Sequence, residues 1–167
     1  MTITMNETAA RGFDAKHLAA ALPAVIGAGA LATIAFDAFG QGLSPMAGFA
    51  KLAPVGLADG TIKAVLGTKV TGGADLLHFA TGLIAYPLGW FAVARPLWQR
   101  VMPSLSEWAA AAAYGVVLWA FALFVMAHLV VGLPAFLGFT GITWVALAGH
   151  VVYALALVGG WRLLSRR

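Results

Sequence analysis

The sequence predicts an all-α integral membrane protein, a four-helix transmembrane bundle with both termini cytoplasmic. Three observations carry that prediction. Of the 167 residues, 62% are hydrophobic and only 10% charged, with a mean hydropathy of +0.91; a soluble domain carries about a quarter charged residues. Four separate runs are long enough to cross a bilayer, which takes about twenty apolar residues. The basic residues flank those runs instead of forming a patch. That is how topology is encoded and not how nucleic acid is bound, despite the net charge of +4.

The whole chain, 1–167, reads as a single transmembrane domain. Its first span covers about 18–40, an apolar run too long for a cleaved signal peptide and so read as a retained helix. The second span covers about 74–94, the third about 108–131 and the fourth about 140–164. Ser104-Leu105-Ser106-Glu107, after Pro103, reads as a capping box that opens the third helix. With the N-terminus inside, Arg11, Lys16, Arg95, Arg100, Arg162, Arg166 and Arg167 lie on the cytoplasmic side. Only Lys51, Lys63 and Lys69 then lie outside, so the asymmetry favours both termini in the cytoplasm. Trp98, Trp108 and Trp161 fall at the inner interface, where indole rings prefer to lie.

The outer connection, 41–73, is too apolar for a plain linker. Ser44-Pro45 reads as a cap with a first-turn proline, and Asp59-Gly60-Thr61 as a restart. One or two short interfacial helices are expected there. A repeated pattern is also visible. The second span reads LLHFATGLIAYPLGW and the fourth AGHVVYALALVGGW, each with His, Tyr and Gly-Trp in order. Two hairpins related by an axis along the membrane normal would account for it.

Ionisable residues inside hydrocarbon are costly, and each is a functional hypothesis. Helical rise puts Asp37, His78 and His128 about one turn inside the outer boundary and His150 roughly 10–12 Å in. On each helix they share a face that could turn inward: Asp37 with Thr33, Ala30 and Ile26; His78 with Thr81, Gly82 and Ala85; His128 with Phe124, Phe121 and Val117; His150 with Thr143, Ala146 and Tyr153. Three imidazoles and a carboxylate suit zinc, copper or nickel, with His78, His128, His150 and Asp37 as ligands. Two facing histidines suit haem b, best His78 with His128, with Gly82 leaving room beside the porphyrin and Tyr153 near His150.

The expected function is therefore a membrane cofactor-binding component, for electron transfer or metal handling. Two alternatives stay open: an accessory subunit of a larger complex or homo-oligomer, whose histidines are interhelical hydrogen bonds, and a small proton or metal-ion transporter. No HExxH, GxSxG, Walker or CxxCH motif occurs, so enzymatic hydrolysis and nucleotide chemistry have no support. The chain has no cysteine, which excludes disulfides and thiolate metal sites.

HFATGLIAYPLGW and GHVVYALALVGGW resemble the uncharacterised small bacterial inner-membrane proteins of the YagU-like kind, over the second to fourth spans. The resemblance implies about four spans, a location in the bacterial inner membrane, and roles for His78, Gly82, Tyr86, His150 and Tyr153. It implies no activity, and does not extend to Asp37 or His128.

Overall fold

The computed structural model describes residues 15–165, with side chains from residue 21 onward. Four helices are long and apolar enough to cross a membrane, and one shorter helix joins the first two. In chain order they are α1 (15–46), α2 (Pro54–Leu66), α3 (Gly73–Val101), α4 (Glu107–Val130) and α5 (Gly141–Leu164). No strand occurs among the described residues. Leu31, Ile34, Leu76, Ile84, Val93, Val116 and Leu129 are all exposed on the outside of the bundle. An apolar exterior of that extent belongs in lipid, not water. Arg11, Arg166 and Arg167, and the side chains of Lys16 and His17, lie outside the described part.

Two helices overrun their expected ends for one physical reason. An interior proline has no N–H, and its ring clashes with the carbonyl four residues back. Here the helix widens to accept it. Turns with i→i+5 hydrogen bonds cover Ala38–Leu43 before Pro45, Thr81–Ala85 before Pro87 and Gly89–Ala94 before Pro96. So α1 runs past Gly40 to Met46, and α3 runs past Ala94 to Val101. A further wide stretch, Phe121–Val130, precedes no proline. It ends at Gly132, φ 85°, where Leu133 N–H bonds the Ala127 carbonyl and Gly132 N–H that of His128. Each bond is one residue wider than in a Schellman ending, in keeping with the wide helix it closes, and glycine supplies the left-handed residue.

The connecting helix also differs from expectation. Its first-turn proline is Pro54, so Asp59-Gly60-Thr61 lies inside a single helix instead of restarting the chain. Gly67, φ 71°, ends it. The cap of α4 is Ser106, whose hydroxyl accepts from Ala109 N–H; Ser104 is not the cap, and Glu107 is released for other partners. The α4–α5 corner is left-handed from Phe136 to Phe139, φ 48° to 69°. Such a turn costs about 1–2 kcal/mol per non-glycine residue. Phe136 stacks on Phe124 and Phe139, and its carbonyl accepts the Thr143 hydroxyl at 2.6 Å. Those contacts hold the turn.

The helices pack in the order α3, α1, α5, α4. The α1–α5 and α4–α5 seams are close because small residues line them. A Cβ added to Gly115 of α4 would stand 2.7 Å from the His150 carbonyl oxygen. One added to Gly160 of α5 would stand 3.3 Å from Ala28 Cα. The pair α3–α4 has no comparable seam. An axis relating two hairpins would map α1–α5 onto α4–α3, so the expected two-fold arrangement is not formed. Instead α2 bridges the ends of α3 and α4 on one side. On the other side, Glu107 of α4 binds Arg95 of α3 at 3.2 Å and Arg162 of α5 at 2.6 Å. Arg162 also lies over Trp108, 5.0 Å from the ring centre.

Candidate ligand-binding cavity

The missing α3–α4 seam leaves a cavity of about 830 Å³. Its walls are Thr33 and Phe36 of α1, His78 to Tyr86 of α3, Val117 to Ala127 of α4, and Ala146, His150 and Tyr153 of α5. Leu52 and the start of α2 roof it. The roof is fixed: Leu52 N–H donates to the Gly40 carbonyl, and the Ser44 hydroxyl to that of Ala50. The Leu52 side chain occupies the space that glycine leaves at Gly40 and Gly149.

Of the four expected ligands, two meet. His78 Nε2 lies 3.0 and 3.2 Å from the Asp37 carboxylate oxygens, and Gln41 donates to the same carboxylate at 2.9 Å. His78 lines the cavity near its roof. His150 lines it more deeply and is only 6% exposed. Its Nδ1 is 2.7 Å from the Ala146 carbonyl. A carbonyl only accepts, so Nδ1 carries the proton and Nε2 keeps its lone pair. That Nε2 has no partner among the described residues.

His128 is elsewhere. Its Nδ1–H donates to the Leu133 carbonyl at 2.7 Å, its ring lies against Phe124, and it does not line the cavity. The expected inward face of α4 is only partly formed, for a physical reason. Ala111 and Gly115 lie in the half of α4 that packs on α5 and are buried there, whereas Val117 and Phe121 line the cavity yet stay exposed, and Phe124 is exposed beside His128. Close packing chose small residues over polar ones. The set His78, His128, His150 and Asp37 therefore does not assemble, and no group of three or more possible metal ligands occurs among the described residues. The His78–His128 haem pair does not face across a gap either.

Gly82 and Tyr153 are also reassigned. The Cβ side of Gly82 is filled by the Thr33 side chain, which packs α3 on α1, while Gly82 also lines the cavity. Tyr86 N–H bonds back to Thr81, and Pro87 has no N–H. The Gly82 carbonyl thus lacks its helical donor, and Tyr153 Oη supplies one at 2.6 Å. Tyr153 thus repairs backbone in a medium that offers no water. Tyr114 Oη adds a bond at 2.7 Å to the Tyr86 carbonyl, which already accepts the Gly89 N–H.

Two features were missed from sequence. Tyr86, reached only through the family resemblance, lines the cavity with its ring centre 6.4 Å from that of His150. Its hydroxyl has no partner among the described residues. Glu107 was read only as part of a cap; its spacing from Arg95 and Arg162 gave no signal that three helices meet there. Comparison with protein-family models, with curated proteins and with solved structures found no match.

Proposed function

We propose that this chain is a multi-pass membrane protein that holds a small, mostly apolar molecule in the cavity, with His150 as the polar contact. One observation carries this: a buried imidazole whose Nδ1–H is committed to the Ala146 carbonyl, leaving Nε2 unpartnered in the wall of a space of about 830 Å³. A polar atom that opens from a buried side chain onto an apolar cavity, without a partner among the described residues, is a ligand-binding arrangement. Both termini are assigned to the cytoplasm from the Lys/Arg asymmetry, so the cavity lies in the outer half of the bilayer and α2 lies over it at the interface. The inner-membrane location rests on the resemblance of α3 and α5.

A second reading is favoured by the same hydrogen bond. A ligating histidine commonly donates its other ring N–H to a backbone carbonyl, which fixes the tautomer. Haem b needs only one axial histidine from the protein, and His150 would be that ligand. A bare transition-metal ion needs three or four protein ligands, and His150 has no second one beside it.

Purification in mild detergent, followed by an absorption spectrum and mass analysis of extracted small molecules, tests both readings. A Soret band lost in His150→Ala supports haem. An extracted organic molecule without a Soret band, depleted at least several-fold in His150→Ala, supports the first reading. The same bound content in the wild-type protein and His150→Ala would refute both.

A further inference from the structure

We propose that the ligand is a hydroxyl-bearing amphiphile of the bilayer, which enters sideways between α3 and α4 and places its hydroxyl between His150 and Tyr86. This rests on the ligand-binding reading and adds a ligand class and a route. The class follows from the two unpartnered groups. His150 Nε2 is an acceptor, because Nδ1 already holds the proton against the Ala146 carbonyl. A charged imidazolium would be an unpaired charge in an apolar wall, since Asp37 is engaged with His78. The ligand atom facing Nε2 must then carry a hydrogen to donate. Tyr86 offers an O–H from a ring 6.4 Å away, centre to centre. A single hydroxyl satisfies both, donating to His150 and accepting from Tyr86. A ketone, an ester carbonyl or an ether cannot donate and leaves His150 unpaired.

The route follows from the packing. On α4, Val117 and Phe121 line the cavity and yet are 61% and 42% exposed. On α3, Ala85 also lines it and is exposed. The cavity therefore opens along the side of the bundle between these residues, where the exterior is apolar. The roof is closed by Leu52, and the far end by Tyr114 on the Tyr86 carbonyl and by Glu107. In a bilayer that slot meets acyl chains, and an amphiphile's tail has no water to cross.

The test uses the full chain in phosphatidylcholine vesicles and two probes: a long-chain alcohol carrying a mid-chain diazirine, and its methyl ether. On illumination, the alcohol is expected to cross-link the cavity wall at Leu118 or Ala122 about tenfold more than the ether, the worth of a buried hydrogen bond. In His150→Phe the alcohol falls to the level of the ether. Tyr86→Phe, which keeps the ring, reduces the preference severalfold and carries the comparison if the first variant does not fold. Ala85→Trp, across the slot, slows the onset of labelling by the alcohol. Equal labelling by both probes, or a preference that survives both variants, overturns the ligand class. An unchanged onset in Ala85→Trp overturns the route. If neither probe reaches the wall but a molecule co-purifies in a His150-dependent way, this inference fails and the ligand-binding reading stands. If nothing is bound under any condition, both fail.

Discussion

At Gly115 the missing side chain decides how near two helices can come. The obstacles to a Cβ there are backbone atoms of α5, the His150 carbonyl oxygen and Val151 Cα, both at 2.7 Å. Backbone cannot rotate aside as a side chain can, so Gly115→Ala must push α4 from α5. It should cost about 1–3 kcal/mol, as overpacking does, and lower the thermal unfolding midpoint in detergent. Gly42 is the control, because nothing lies within 4 Å of a Cβ there. Gly42→Ala should leave stability unchanged or raise it by up to about 1 kcal/mol through helix propensity. An equal effect at both sites would show that glycine content, not the seam, matters. This scale also decided the histidines. His150 shares its buried stripe with Thr143, Ala146, Tyr153 and Leu157, as period and spacing indicate. His128 follows the same periodicity on α4 yet lies off the cavity, because periodicity names a face and not which face a neighbour prefers.

Within α3, one proline sets the register of the cavity wall. Pro87 forces the wide turn Thr81–Ala85, and the Gly82 carbonyl it strands is paired by Tyr153 of α5. Tyr153→Phe should therefore cost about 1–3 kcal/mol, the penalty for an unsatisfied buried acceptor. In a Pro87→Ala background the helix can restore its own donor to Gly82, and the same change should cost much less. A double-mutant cycle on unfolding free energy measures that coupling. Additive effects would mean the hydroxyl and the proline act independently. The prolines were visible in the sequence, and so was Tyr153. Their connection was not, because an orphan carbonyl arises only once the hydrogen-bond register is known. The same limit hid Pro54: Ala53-Pro54 offers a first-turn proline but no capping side chain, and packing against α3 and α4 selects it.

Across the whole molecule, composition gave the helix count and apolar length gave the spans, because lipid allows few other solutions. The packing order was not legible, since it depends on pairs of faces from distant segments. The incomplete seam between α3 and α4, and hence the cavity, follows from that order. At the arginine-rich end, Glu107 joins α3 and α5 through Arg95 and Arg162, with its own side chain 13% exposed. The arginines are about a third or more exposed, so solvent weakens each pair, and Glu107→Gln should cost only about 1 kcal/mol. It should leave topology unchanged, since acidic residues contribute little to orientation. A reporter fused after Arg167 is expected to remain cytoplasmic in both the wild type and Glu107→Gln, and one inserted near Asp59 to be exported. Exchanging Arg95, Arg100 and Arg162 together for Gln should instead yield mixed orientations, because the remaining asymmetry rests on the chain ends. Export of the Arg167 fusion from the unaltered chain would reverse the bundle. The slot between α3 and α4 would then draw on the cytoplasmic leaflet, and the His78–Asp37 pair would meet cytoplasmic water.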